Sequence, residues 1–210
     1  MGRGHVIVEG HGEQDAVLNL LTRLWADLGL GPVTWAEPIR GKNLAQRSGV
    51  EKSCELVRRK RDTELLVVLR DDEDGCPKTD GPAIASWLRE LALPFPSAVV
   101  LAYREFESLF LPCVEHMAGK PLGGQANIKR PGLRSDARFE GNFEAKRGVK
   151  EWLSTQMPRG VSYKPAVDQL PMMRLVDFSR VRASGLPWFG TLERALRFID
   201  AHRGRGAVYP

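Results

Sequence analysis

The feature that most constrains the fold is a continuous apolar run that ends abruptly in four acidic residues. Residues 65–70 read Leu-Leu-Val-Val-Leu-Arg, and residues 71–75 continue as Asp-Asp-Glu-Asp-Gly. The run has the length of a strand, is too short for a typical helix and lacks period-two alternation, as in strands that are covered on both faces. The sequence therefore predicts a buried strand of an α/β sheet, followed by an acidic turn.

The acidic residues lie where such sheets commonly place their chemistry. Side chains just beyond the carboxyl ends of parallel strands converge on a crevice, which predicts a metal site made by Asp71, Asp72, Glu73 and Asp74. Clustered carboxylates repel one another unless a cation relieves the repulsion, and Mg²⁺ takes carboxylate oxygens while keeping several waters. The alternative is a solvated turn, because Asp and Gly are ordinary turn residues.

Two further predicted strands also end in acidic residues. Residues 5–8 are followed by Glu-Gly-His-Gly-Glu at 9–13, and residues 97–103 are followed by Arg-Glu-Phe-Glu at 104–107. Helical spacings of apolar residues separate the strands, which predicts a parallel-rich α/β sheet with right-handed crossovers. Neighbouring strands would bring Glu9 and the acidic turn into one pocket. For Glu107 the alternatives are a metal ligand and the acidic start of a helix.

The second half of the chain changes character twice. Residues 119–148 are rich in Gly, Arg and Lys without a sustained apolar period, so they are either a basic loop that orders on a phosphate backbone or a surface insertion. From residue 149 onward, apolar residues recur at helical spacing. We expect an α/β core over residues 1–118, the basic loop or insertion over 119–148, and a helical part over 149–210 that packs on the core.

The charge balance is compatible with a nucleic-acid partner. The chain of 210 residues has a formal net charge of +5 and a pI of about 9.3, which provides basic surface for phosphates beside an acidic pocket for metal. Proteins with other tasks are often equally basic, so charge alone does not decide the partner. The candidate nucleic-acid contacts are Lys129, Arg130, Arg134, Lys146 and Lys164.

Several other classes lack their sequence signals. The three cysteines are widely spaced without a Cys-x-x-Cys pair, which argues against a disulfide framework or a zinc site. The glycine turn at 10–12 lacks the third glycine of a dinucleotide fingerprint, and neither a phosphate loop nor a zinc-hydrolase or serine-hydrolase motif occurs. No apolar run approaches the roughly 20 residues that span a bilayer, and no signal-peptide stretch opens the chain, so we expect a cytoplasmic protein without a membrane partner.

Taken together, the acidic motifs resemble those of the Toprim fold, which topoisomerases, DnaG-type primases, small RNA maturases and OLD-family nucleases share. More closely, Val-Glu-Gly-x-x-Glu at 8–13, Leu-Arg-Asp-x-Glu-Asp at 69–74 and Arg-Glu-x-Glu-x-x-x-Leu at 104–111 resemble the DUF4276 family of bacterial Toprim-like proteins. The segments at 150–153, 163–164, 168–169 and 189–196 are also similar to that family, so the resemblance spans nearly the whole chain. It implies a Toprim-like, Rossmann-like sheet flanked by helices, with a helical C-terminal extension.

The resemblance also implies roles for individual residues. Glu9 matches the Toprim glutamate that assists proton transfer and binds metal, and Glu13 matches the second acid of the OLD-like version. The Asp-x-Asp motif falls either on Asp71 and Glu73 or, one step along, on Asp72 and Asp74, and Glu107 is a further candidate ligand. Charge stabilisation in the transition state is expected from a lysine or an arginine. The candidates are Lys146, Lys150 and Lys164, of which Lys150 joins the catalytic set.

The implied activity is cleavage of phosphodiester bonds in DNA or RNA with Mg²⁺ or Mn²⁺ as cofactor. By resemblance, the protein works beside an ABC/AAA-type ATPase in bacterial defence against phage or plasmids. Two alternatives remain open: a non-catalytic Toprim-like interaction subunit, and an endonuclease that processes structured RNA. Self-association is also left open.

Overall fold

Strands and helices alternate in the first half of the chain, and helices dominate the second half. The computed structural model describes residues 2–10, 13–123 and 129–210. Its strands are β1 Arg3–Val8, β2 Thr34–Trp35, β3 Ile39–Arg40, β4 Thr63–Asp72, β5 Ser97–Tyr103, β6 Leu122–Gly123, β7 Lys129–Arg130 and β8 Val208–Tyr209. Its helices are α1 Glu13–Asp27, α2 Arg47–Arg58, α3 Pro77–Glu90, α4 Val114–Met117, α5 Val149–Gln156, α6 Pro165–Leu175, α7 Phe178–Ser184 and α8 Pro187–Ala201, and a 3-10 helix spans Phe106–Cys113.

The main sheet is parallel throughout. Its strand order is β2-β1-β4-β5-β8, and β3 pairs with β1 beyond the end of β2. Parallel neighbours require crossover connections, and helices α1, α2 and α3 provide them between the three central strands. The structure therefore confirms the predicted α/β fold, with a mostly parallel sheet flanked by helices and a helical C-terminal extension. This architecture is consistent with a Rossmann-like or Toprim fold.

Both faces of the sheet are buried, which explains the continuous apolar run. Leu65, Val67 and Leu69 belong to one apolar cluster with α1, the 3-10 helix and the C-terminal helices. Leu66 and Val68 point the other way, into a second cluster with α2 and α3. Burial of a leucine or valine side chain stabilises the fold by about 1.5–3 kcal/mol relative to an exposed one. The run therefore stabilises the apolar clusters on both faces of the sheet.

The strand that carries the acidic residues is longer than predicted. β4 continues through Asp72 because β5 runs beside it, with Asp71 level with Ala102 and Asp72 level with Tyr103. The first two acids therefore belong to the strand and point to opposite faces, and the acidic turn starts only at Glu73.

The described part of residues 119–148 packs against its neighbours. β6 and β7 form an antiparallel pair, and Leu133 is buried in the first apolar cluster. The ring of Phe139 contacts Trp152 of α5 edge to face, with ring centroids 5.1 Å apart. Residues 124–128 lie outside the described part of the chain.

The C-terminal helices pack against α1 and the same face of the sheet, in the first apolar cluster. From α1, the Arg23 guanidinium donates to the carbonyl oxygens of Met173 and Val176, at 2.6 and 2.7 Å, at the end of α6. Leu192, Leu196 and other apolar residues of α8 join the same apolar cluster as the sheet. Among the helices described, none is long and apolar enough to cross a membrane.

Two leucines test the two-sided burial. Leu66→Ala is expected to lower the free energy of unfolding by about 2–5 kcal/mol, because the truncation leaves a cavity in the second cluster. Leu56 on α2 is 53% exposed, so Leu56→Ala is expected to change the free energy of unfolding by no more than about 0.5 kcal/mol. Urea unfolding followed by circular dichroism measures both, and equal losses in the two variants would contradict this packing.

Candidate functional site

Three strands bring carboxylates to one edge of the sheet. β1, β4 and β5 are adjacent and parallel, so their carboxyl ends lie together. Ile7 is level with Val68, so Glu9, two residues further on, comes beside Arg70. The carboxylates that belong to these strand ends are Glu9, Asp71, Asp72, Glu105 and Glu107.

On the α2–α3 face of the sheet, the acids line an open cleft of about 590 Å³. We call it the acidic cleft and define it by Glu9, Arg70, Asp72, Gly75 and Asp80. Arg70 lies between two of its acids: Nη2 donates to Asp72 Oδ1 at 2.9 Å, and Nε lies 3.8 Å from Glu9 Oε2. The other oxygen of Glu9, Oε1, accepts a hydrogen bond from the Leu44 amide at 2.8 Å. Glu9 is thereby held against the start of the α2 segment.

Asp72 is the most buried acid of the cleft. It is 1% exposed, and within the described residues its Oδ2 atom has no hydrogen-bond partner. Burial raises the pKa of Asp72 above its ordinary value; Arg70 opposes this change and the nearby Asp80 adds to it. A buried carboxylate oxygen without a donor is unfavourable, so the position favours a cation or a proton.

Gly75 allows two carboxylates to approach the backbone of the acidic turn. A Cβ atom at this position would lie 2.4 Å from Asp72 Oδ1 and 2.4 Å from Asp80 Oδ2, closer than real contacts. Asp80 also accepts a hydrogen bond from the Cys76 amide at 2.9 Å. Glycine at residue 75 is therefore a steric requirement of the cleft, because a side chain would displace both acids.

On the opposite face, a lysine is surrounded by three acids. Lys150 Nζ lies 3.7 Å from Asp71 Oδ2, 3.8 Å from Glu105 Oε2 and 3.6 Å from Glu107 Oε2. We call this group the lysine socket and define it by Asp71, Glu105, Glu107 and Lys150. The lysine side chain is 33% exposed, so its ammonium group is accessible from solvent while it offsets the charge of the acids.

The deepest acid of the socket is held by the C-terminal helices. Glu107 is fully buried, and its Oε1 accepts hydrogen bonds from Tyr163 Oη and Gln169 Nε2, both at 3.1 Å. Burial and the adjacent Glu107 carboxylate raise the pKa of Tyr163 above its ordinary value. Tyr163 therefore remains a neutral donor at physiological pH.

Glu105 sets the position of the lysine. Its Oε1 accepts a hydrogen bond from the Val149 amide at 3.0 Å, and Oε2 accepts one from the Lys150 amide at 3.4 Å. These are amides of the first turn of α5, whose positive end favours a carboxylate. The strand end and α5 are therefore fixed to each other.

The remaining acids of the turn are exposed. Glu73 contributes its carbonyl oxygen, which accepts a hydrogen bond from Arg104 Nη1 at 2.7 Å. Asp74 pairs with Arg147 at 2.9 Å, and this hydrogen bond lowers the pKa of Asp74 below its ordinary value. The acids of both Asp-x-Asp registers line the acidic cleft, and Asp71 also lies beside Lys150, so the choice between the two registers stays a prediction.

The donor chemistry of the acidic cleft fits a hard divalent cation. It offers carboxylate oxygens from Glu9, Asp72 and Asp80, one of them the partnerless Asp72 Oδ2. No group of three or more His, Cys, Asp or Glu side chains that could hold a metal ion occurs in the described ranges. Mg²⁺ is usually bound through one or two carboxylates plus water and substrate phosphate, so it suits this cleft better than a cation that needs a complete protein cage.

The first of the predicted basic contacts is engaged inside the protein. Arg130 forms a bidentate pair with the fully buried Asp168, with both N–O distances 2.7 Å, and also donates to the Ser162 carbonyl oxygen. Such planar, paired geometry positions β7 against α6. The guanidinium group of Arg130 therefore serves a structural pair in this arrangement.

The other basic candidates are scattered. Arg134 is exposed and pairs with Asp136 at 3.1 Å, Lys146 is half-buried and Lys164 is exposed at the start of α6. The side chains of Glu13 and Lys129 lie outside the described part of the chain. For Arg134, Lys146 and Lys164, a role in nucleic-acid binding stays a prediction.

Four residues of the two clusters, Arg70, Gly75, Asp80 and Glu105, were not among the predicted site residues. Arg70 had a detectable signal, since it lies two residues before Asp72 and so shares its face of the strand. Glu105 lies two residues before Glu107, but no local pattern indicates that its carboxylate would bind the first turn of α5. Asp80 reaches the cleft only because α3 starts directly after the acidic turn.

The fold and this edge define an α/β protein with acidic residues after three adjacent parallel strands. A family model described as "Domain of unknown function (DUF4276)" matches residues 8–197, which include both clusters. The chain belongs to this family, and the predicted family membership is confirmed. A comparison with curated proteins found no match.

Asp72 gives the protein a predicted pH dependence. A carboxyl group whose pKa is higher in the folded than in the unfolded chain makes stability fall as pH rises from the unfolded to the folded pKa. Asp72→Asn removes the buried charge, so its melting temperature is expected to exceed that of the wild type at pH 7, by an amount that shrinks towards pH 4. Thermal melts at both pH values measure this, with the exposed Asp62→Asn as control. A lower melting temperature at pH 7 would contradict it.

Lys150 provides a second test. Lys150→Met keeps the unbranched side chain up to the position of Cε but leaves three acids facing one another, so we expect a loss of about 1–3 kcal/mol in unfolding free energy. Glu107→Gln in the same chain should restore part of this loss, because one of the repelling charges is gone. Urea unfolding of both single variants and the double variant measures the coupling. Additive effects would show that the ammonium group does not compensate Glu107.

Proposed function

We propose that this protein is a nuclease that hydrolyses phosphodiester bonds in DNA or RNA with Mg²⁺ or Mn²⁺. The observation that carries the proposal is the buried, partnerless Oδ2 atom of Asp72, in an acidic cleft at the carboxyl ends of parallel strands. Ligands of α/β sheets bind at such edges. The family resemblance and the net charge of +5 support the same function.

Glu9 and Asp72 would hold the ion, and water and substrate phosphate would complete its coordination. A divalent ion bound there supplies an activated water and stabilises the leaving oxygen of the phosphodiester. Arg70 acts as a positioning residue, because it contacts both Glu9 and Asp72 and keeps these acids from repelling each other.

The residues of this chain supply the remaining steps. Glu9 is about one-third exposed and accepts the Leu44 amide hydrogen bond on Oε1, and we assign to Oε2, which lies 3.8 Å from Arg70 Nε, the role of accepting a proton from water. Lys150 is solvent-accessible and shares a shallow depression with Arg104 and Arg147 beside the acidic turn. The three cations line it together with Glu73, Asp74, Glu105 and Glu151, and they would provide charge for a phosphate that develops negative charge during the reaction.

The test is a cleavage assay on plasmid, single-stranded DNA and tRNA with Mg²⁺ or Mn²⁺. Glu9→Gln is expected to lower the rate about 10²–10⁴-fold, the range for loss of a general base. Asp72→Asn should also lose activity although it is expected to be more stable, so unfolding would not explain the loss. Asp62→Asn, exposed at the opposite end of β4, should cleave like the wild type.

Two results would contradict the nuclease. One is cleavage that survives EDTA or both cleft substitutions; the other is the absence of cleavage under all conditions, including with an ATPase that is encoded beside the protein. Preference for tRNA over DNA would instead identify the enzyme as an RNA-processing endonuclease. The resemblance alone supports the ATPase partner and the role in bacterial defence, which are part of this proposal.

A second candidate function is a non-catalytic interaction subunit. It is favoured by Arg70 and Lys150, which already compensate the acids on both faces of the sheet. In that case the clusters are structural, and Mn²⁺ binding measured by calorimetry would be absent in the wild type. Binding that disappears in Asp72→Asn would favour the nuclease.

A further inference from the structure

A large apolar groove lies beside the acidic cleft. It has a volume of about 890 Å³, within the range of small-molecule sites, and lies between α3, α8 and the outer edge of β5. We call it the apolar groove and define it by Gly81, Pro82, Leu101, Tyr103, Trp188 and Tyr209. Aromatic and aliphatic side chains dominate its lining, in contrast to the acids of the neighbouring cleft.

The groove exists because the edge of the sheet is only partly covered. β8 pairs with Ser97 and Ala98 at the start of β5, and the pairing stops there. From Val99 to Tyr103 the outer edge of β5 faces the space between α3 and α8. The helices therefore form walls on both sides of an open strand edge.

The groove and the acidic cleft meet at the acidic turn. Gly75 lines both of them, and the next residues, Cys76 and Pro77, continue along the groove. A polymer whose backbone lies in the cleft at Asp72 would therefore pass next to the groove.

The rim of the groove carries cations. Lys78 on α3 and Arg194 on α8 line it from opposite sides. Neither forms an ion pair with a carboxylate of the described residues, and Arg194 donates to the Thr191 and Tyr209 hydroxyl oxygens. These two side chains can contact phosphates, whereas Arg182 of the same lining pairs with Glu193 at 2.7 Å and Glu144 adds a negative charge.

We propose that the apolar groove receives an unpaired nucleobase of the nucleic acid whose backbone occupies the acidic cleft. The inference rests on the proposed function and names its substrate class: single strands, or duplexes with an unpaired nucleotide next to the scissile phosphate. A base inside a duplex cannot enter, because its edge is paired and its faces are stacked. A free base has an apolar face for the aromatic lining, and flanking phosphates meet the cations of the rim.

Gly81 provides a direct way to fill the groove. It lies on α3, lines the groove, and a Cβ atom added there meets no atom within 4 Å. Gly81→Leu therefore extends into open space, while Gly81→Ala adds only one methyl group. Both residues favour a helix more than glycine does, so neither variant is expected to unfold the protein. The two variants differ chiefly in how much of the groove volume the new side chain fills.

The experiment is fluorescence anisotropy with a labelled single-stranded DNA of twelve nucleotides and the matching duplex, in EDTA so that no cleavage occurs. Gly81→Leu is expected to bind the single strand about 10-fold more weakly than Gly81→Ala, as for the loss of one stacked base, with duplex binding unchanged. Equal affinities of the two variants would overturn the inference. So would a wild type that binds no single strand, the result expected if the groove takes an extended peptide along β5.

The outcomes separate this inference from the nuclease. If Glu9→Gln abolishes cleavage while Gly81→Leu and Gly81→Ala bind and cleave alike, the nuclease stands and the base pocket is wrong. If Gly81→Leu weakens single-strand binding but no condition yields cleavage, the base pocket stands and catalysis is wrong.

Discussion

The parallel pairing of β1, β4 and β5 is the constraint on which the rest of the structure depends. It places the carboxyl ends of three strands side by side, and each strand ends in acidic residues. The pleat then divides these acids between the two faces, because Asp71 and Asp72 are successive residues of one strand. One edge of the sheet thus carries two acidic clusters, each closed by different helices.

Each cluster contains one cation that relieves the repulsion between its carboxylates. Arg70 comes from the strand itself, whereas Lys150 comes from α5, far along the chain. The two cations are positioned differently. The sheet itself places Arg70, whereas the position of Lys150 depends on the contact between α5 and Glu105. The partnerless oxygen of Asp72 is the reason why we propose the first cluster, and not the lysine socket on the opposite face, as the cation site.

The sequence was sufficient for the parts of this arrangement that are local. A buried run flanked by acids defined β4, and the strand at residues 97–103 was placed correctly from the same pattern. The division of the acids between two faces was harder to predict from the sequence. It depends on the β1–β4 register, which brings Glu9 beside Arg70, and on the pairing of Asp71 and Asp72 with β5. Contacts from distant segments, such as Gln169 on Glu107 or α8 along the groove, depend on tertiary packing that no local pattern encodes.

The contacts of Glu107 have a consequence for how this fold can be divided. Tyr163 and Gln169 reach its buried carboxylate from residues that follow the α/β core, and Glu105 holds the first turn of α5. A fragment that ends before residue 149 would therefore keep the three strands but expose Glu107 without its donors and without Lys150. Residues after the α/β core thus complete this edge of the sheet, and we expect an isolated core fragment to lose the lysine socket.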